Sequence, residues 1–118
     1  MSDAGPADRA QALMRAIGAR ALSSNLRRVD ELTVAVGLAT AEGGLPALSR
    51  DAAVGTAHQL AGSAGTFGYD RVSQLARRVE SFLVEQSFTD DQRCAAATQE
   101  LVLMRMDLLA GPDEDALS

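Results

Sequence analysis

No stretch of the chain alternates apolar and polar residues over any length, whereas apolar positions return every three or four residues almost throughout, the period of an amphipathic α-helix. A short first helix is expected from Ala7 to about Ala19, with Leu13 and Ile17 on one side. A second is expected from about Ser24 to Ala41, with Ser23 or Ser24 as its cap and Leu26, Val29, Thr33, Val36 and Thr40 as its apolar stripe. The pattern alone does not show whether a break separates these two. "EGGLP" at 42–46 ends the second helix, with glycine just past the end and proline beyond it. A third helix is expected from about Ala47 to Phe67, closed by "GYD", with Asp70 capping a fourth. The fourth helix has the stripe Val72, Leu75, Val79, Phe82 and Gln86, with Leu83 beside it. A fifth starts in "FTDDQ", where Thr89 and Gln92 have capping-box spacing, and buries Cys94, Ala97, Leu101, Met104 and Leu108. The polar, acidic "GPDEDALS" at 111–118 is expected to fray. Long helices joined by short loops imply an all-α, antiparallel up-down-up-down four-helix bundle with an additional short N-terminal helix. The chain is read as one domain over 1–118, ordered over about 7–110.

Composition narrows this picture. A chain of 118 residues with 47% apolar residues has the length of one domain and enough hydrophobic surface for a core. With one tyrosine, three phenylalanines and no tryptophan, that core must be aliphatic and alanine-rich, which suits closely packed helices. A net charge of −5 argues against nucleic acid as a partner. All 11 basic residues are arginine, so lysine is absent from any mechanism. The single cysteine, Cys94, permits no internal disulfide and reads as a small buried hydrophobe. No apolar run approaches the ~20 residues of a membrane span, and "MSDAGPADRA" lacks the n- and h-regions of a signal peptide. The expected location is the cytoplasm, the expected state a monomer.

The candidate chemistry lies in "TAHQLAGSAGTFGYD", which holds the only histidine, His58. At ~100° per residue, Ala53, Ala57, Leu60, Ala64 and Phe67 form the inward stripe of the third helix. His58 falls opposite, among Val54, Gly55, Ala61, Gly62 and Gly65. A glycine inside a helix costs about 1 kcal/mol relative to alanine. An ordinary solvated face would carry long polar side chains. A bare face around one imidazole suggests close approach by something large, and a neutral imidazole has a ring nitrogen free to attack. One histidine supplies no second metal ligand, and no nucleophile–base pair is evident, so a hydrolase or metal enzyme is disfavoured and no metal site is expected.

"AHQLAGSAGTFGYDRVSQLARRVE", Ala57 to Glu80, resembles the signature of histidine-containing phosphotransfer (HPt) domains. Ala57, His58, Leu60, Gly62, Ser63, Ala64 and Gly68 match its first part; Val72, Leu75, Ala76, Val79 and Glu80 match its second. The resemblance implies a four-helix bundle that relays phosphoryl groups in two-component signalling, with His58 as the phosphoacceptor. Val54, Gly55, Ala61, Gly62 and Gly65 are then expected to form the docking face for a response-regulator receiver domain or hybrid histidine kinase. No cofactor of its own is expected, the Mg²⁺ belonging to the receiver. One position departs: the family usually has lysine where this chain has Ala61. Only an arginine can replace it. Counting from the turn at Gly68 puts Arg77, Arg78 and Ser81 level with His58, and Arg78, on the flank of the fourth helix, is the first choice. The alternative is a degenerate adaptor that binds a receiver without transferring phosphate.

Overall fold

A computed structural model describes residues 5–113. It contains four α-helices, α1 (Pro6–Glu42), α2 (Ala47–Thr66), α3 (Asp70–Glu85) and α4 (Asp91–Ala110), with a 3₁₀ turn at Ser87–Thr89 and no strand among the described residues. The separate N-terminal helix of the sequence reading is not present: Pro6 to Glu42 is one continuous helix of 37 residues. Between Ala19 and Asn25 there is no proline or glycine to stop it, Ala21 and Leu22 are good helix formers, and Ser23 and Ser24 are tolerated inside it. Pro6 at the first turn and Gly43 past the end, at φ +79°, are its true boundaries.

The helices pack around a core in which Leu32, Leu60, Leu83, Leu101, Met104 and Leu108 are fully enclosed and alanines fill the close approaches. The stripes of α2, α3 and α4 follow the expected positions, except that Phe67 lies just past the end of α2 and is half-buried, and Gln86 is exposed and ends α3 with φ +54°. In α1 the inward positions are Asn25, Val29, Leu32, Val36 and Ala39. Thr33 and Thr40, expected inside, are exposed and bond back to the carbonyls of Val29 and Val36 at 2.8 and 2.7 Å. Neighbouring helices are tied at specific pairs. The buried Asn25 donates from Nδ2 to Ser63 Oγ at 3.1 Å, Ser73 Oγ donates to the Ala61 carbonyl at 2.8 Å, and Arg105 meets Asp30 at 2.7 Å. The N-terminal part of α1 projects past its neighbours, leaving Leu13 and Met14 61% and 65% exposed. The molecule is correspondingly long, 63 × 27 × 17 Å.

The ends of the helices differ from the capping expectations. Asp90, not Thr89, caps α4, its Oδ1 accepting from the backbone N–H groups of Gln92 and Arg93. Asp70 is the first residue of α3 rather than its cap. Its N–H donates to Asp113 Oδ2 at 2.9 Å, while the Asp113 N–H donates to the Gly68 carbonyl at 2.8 Å. The start of the segment expected to fray is therefore fastened to the α2–α3 turn; positions 114–118 lie outside the described residues. Phe82 and Phe88 meet edge to face, centroids 4.9 Å apart, and close the α3–α4 end.

Candidate functional site

The surface around His58 follows from how closely α2 and α3 approach. Ala57, Leu60 and Ala64 are completely buried on the inward side of α2. His58, one residue past Ala57, leaves the core and its side chain is 78% exposed in mid-helix. Ala61 was expected on the same open face, but it is 4% exposed and buried in the α2–α3 seam. Its small side chain lets α3 come close enough for the Ser73 hydroxyl to reach its carbonyl. Gly65, though exposed, borders that seam: a Cβ there would lie 3.4 Å from Ser73 Oγ. Part of the small-residue pattern is thus helix packing. Gly55 and Gly62 are different, since both are exposed and a Cβ at either would meet nothing within 4 Å. They flank His58 on the open side. Val54 is half-buried and packs against the core edge, which leaves part of it at this surface.

The residue that meets the imidazole from α3 is Glu80. Its Oε1 lies 3.3 Å from His58 Nδ1, and its side chain is only 26% exposed. A carboxylate at that distance disfavours a lone pair on Nδ1 and favours a proton there, leaving the lone pair on Nε2. Counting levels along α3 found the right turn of the helix but passed over Glu80. The signal available was an acidic residue level with the histidine, on the edge of the core stripe.

Arg78, the expected cation, is not beside His58. It lies on the other flank of α3, in a shallow cleft against α4 with Phe82, Ala97 and Glu100. Burial raises the Glu100 carboxyl above its ordinary value and the Arg78 guanidinium pulls it partly back. Arg77, exposed on the outward side of α3, lines the same cleft.

A family model described as Hpt domain matches residues 8–110. The chain belongs to the Hpt domain family. No curated protein and no solved structure matches it. Hpt domains serve phosphorelays in two-component signalling and interact with response-regulator receiver domains and histidine kinases. This Hpt domain's match begins in the projecting part of α1 and runs through α4, so the family extent takes in the whole described bundle. No helix among its described residues is long and apolar enough to cross a membrane.

Proposed function

We propose that this Hpt domain is a phosphocarrier in which His58 Nε2 accepts a phosphoryl group from a receiver-domain aspartyl phosphate or a histidine kinase and passes it to a receiver aspartate. The observation that carries this reading is the environment of His58. Its side chain is exposed in mid-helix, Glu80 is at Nδ1, and Gly55 and Gly62 leave room beside it. In the forward step the Nε2 lone pair attacks phosphorus, the N–P bond forms, and the P–O bond to the aspartate breaks to release its carboxylate. Positive charge develops on the ring, and the Glu80 carboxylate beside Nδ1–H stabilises it. The rest of the transition-state stabilisation, including the Mg²⁺, is assigned to the partner's receiver domain. Docking is assigned to the open surface of Gly55 and Gly62 with Val54 and Gly65 at its margin. The family extent and the continuous core support reading the chain as one domain, and the proposal takes that domain as cytoplasmic and monomeric.

The same reading takes the bundle as antiparallel, up-down-up-down. The pairs Asn25–Ser63, Ala61–Ser73 and Asp30–Arg105, together with three short connections, support it.

The test is incubation with phosphorylated receiver domains, followed by phosphate-affinity electrophoresis. Wild type is expected to take up one acid-labile, base-stable phosphoryl group. His58→Gln is expected to take up none while melting at nearly the same temperature, because an exposed side chain carries little packing energy. Label on His58→Gln would overturn the assignment. Receiver binding without any transfer would favour the adaptor, whose sequence argument is Ala61 alone.

A further inference from the structure

We infer that the Arg77 guanidinium holds the phosphoryl group once it is on His58, an inference that rests on the phosphocarrier reading above. Two contacts fix which parts of α2 and α3 lie level: Ser73 with Ala61, and Glu80 with His58. Arg77 is four residues after Ser73 and three before Glu80, so it shares their side of α3. On α2, three residues before Ala61 is His58 itself. Arg77 is therefore level with His58. It points further outward than Glu80, as His58 points further outward than Ala61. Packed helix axes are about 8–10 Å apart, and closer where alanine and glycine line the seam, a gap that a long arginine side chain spans.

The electrostatics call for a cation at this place. A phosphoryl group brings about two negative charges, and Glu80 already stands beside the ring. Of the arginines of α3, Arg71 is paired with Asp107 at 3.2 Å, and Arg78 lies on the flank toward α4, in the cleft that Glu100 also lines. Arg77 is exposed and has no carboxylate partner among the described residues. In the unphosphorylated structure its side chain lies along the rim of the α3–α4 cleft. An exposed arginine changes rotamer within picoseconds to nanoseconds, so its guanidinium can swing to the other side of the ridge when the new charge appears. Guanidinium also matches phosphate oxygens in two-point geometry. A cation there favours the phosphoryl dianion over its protonated form and so slows loss of the group to water.

The experiment loads the protein chemically, without a partner. With phosphoramidate as donor, His58 Nε2 attacks phosphorus, the N–P bond to the donor nitrogen breaks, and that nitrogen takes a proton from water to leave as ammonia. His58 is the only histidine, so the product is homogeneous. Decay of phosphohistidine is followed by intact mass, and ionisation of the phosphoryl group by its ³¹P shift against pH. Arg77→Ala is expected to decay two- to fivefold faster and to take up its phosphoryl proton at higher pH. Arg77→Lys should fall between it and wild type, and Arg78→Ala should match wild type. The difference should shrink at high salt. Unchanged decay and ionisation in Arg77→Ala, or an equal effect from Arg78→Ala, would overturn the inference. Failure of the phosphocarrier reading shows separately, as loaded wild type that passes nothing to any receiver, and leaves the decay measurement intact.

Discussion

Replacing Gly62 separates the two costs that meet at the open face of α2. The backbone there is ordinary helix, and a Cβ would meet nothing within 4 Å, so neither strain nor clash opposes a side chain. Intrinsic propensity then governs stability. Gly62→Ala should stabilise the fold by about 1 kcal/mol, and Gly62→Gln by roughly half of that. For a domain near this size 1 kcal/mol corresponds to a rise of roughly 4–8 °C in Tm. A folded protein has only ~5–15 kcal/mol in total, so a glycine kept here is a real sacrifice unless something needs the space. Gly62 follows His58 by one turn on the exposed side, which under the phosphocarrier proposal is where a receiver comes close for in-line transfer. Gly62→Gln is therefore expected to lose at least tenfold in receiver affinity or transfer rate, ~1.4 kcal/mol, while gaining stability. Gly62→Ala, with one small methyl group, should keep most of its transfer.

The assay pairs thermal melts with receiver titration and rapid-quench transfer on the same preparations. Gly65→Ala is the internal contrast. Its Cβ would touch Ser73 Oγ at 3.4 Å, so its stability gain should be the smaller one. Should Gly62→Gln dock and transfer like wild type, the open face is not the docking site. Should it melt lower than wild type, the helix is not free there and the propensity argument fails.

Three further expectations follow from the packing. Asn25 is fully buried, with Nδ2 on Ser63 and Oδ1 accepting from Arg28 Nη1 at 2.8 Å. Asn25→Ala should cost about 1–3 kcal/mol in a denaturant melt, and the combination Asn25→Leu with Ser63→Ala should cost less than the sum of its parts, because the Ser63 hydroxyl is not left stranded and the half-buried Arg28 can turn to water. Burial raises the Glu100 carboxyl above its unfolded value, so its contribution to stability is fully present in acid and is lost as pH rises through its folded value. Glu100→Gln should accordingly raise Tm at neutral pH and leave it nearly unchanged in acid, by less than ~1 kcal/mol because the site is partly solvated and the nearby Arg78 charge loses a carboxylate. Asp113→Ala should lower stability by about 0.5–2 kcal/mol, as loss of a helix cap does, and speed amide exchange at Asp70.

What the sequence revealed depended on how strongly each face was marked. In α4 the five buried positions, Cys94, Ala97, Leu101, Met104 and Leu108, are those the period marks, because small or apolar residues recur there without a competing register. In α1 two registers compete. Threonine at 33 and 40 has a methyl group that reads as apolar, yet each hydroxyl satisfies itself on the carbonyl four residues earlier and the side chain stays outside. Leu32 and Ala39 are the residues that turn inward. Asn25 was illegible for the opposite reason: its polarity argued for the surface, and its buried amide is satisfied by Arg28 one turn on and by Ser63, 38 residues later.

The exchange of Arg78 for Glu80 beside His58 has a geometric cause. The turn at Gly68 tells how far along α3 to look, and that distance was read correctly. Which side of α3 faces α2 is a separate question. With the core direction at Val79, Arg78 lies about 100° to one side and Glu80 about 100° to the other. The pattern of apolar residues is symmetric under that exchange. A four-helix bundle of either hand would bury the same stripe, and in one of the two hands Arg78 would meet the histidine. The distinction is made by contacts that are not in the periodicity. Ser73, on the Glu80 side, bonds to Ala61, and Phe82, on the Arg78 side, packs on Phe88 toward α4. The chosen hand puts a carboxylate at Nδ1, and leaves Arg77 on the outward side of α3 with its side chain at the α3–α4 cleft. Under the phosphocarrier proposal, an anion orients the unloaded imidazole, and a mobile cation answers the charge that transfer adds. A fixed cation in place of Glu80 would favour the opposite tautomer and direct the Nε2 lone pair away from its role.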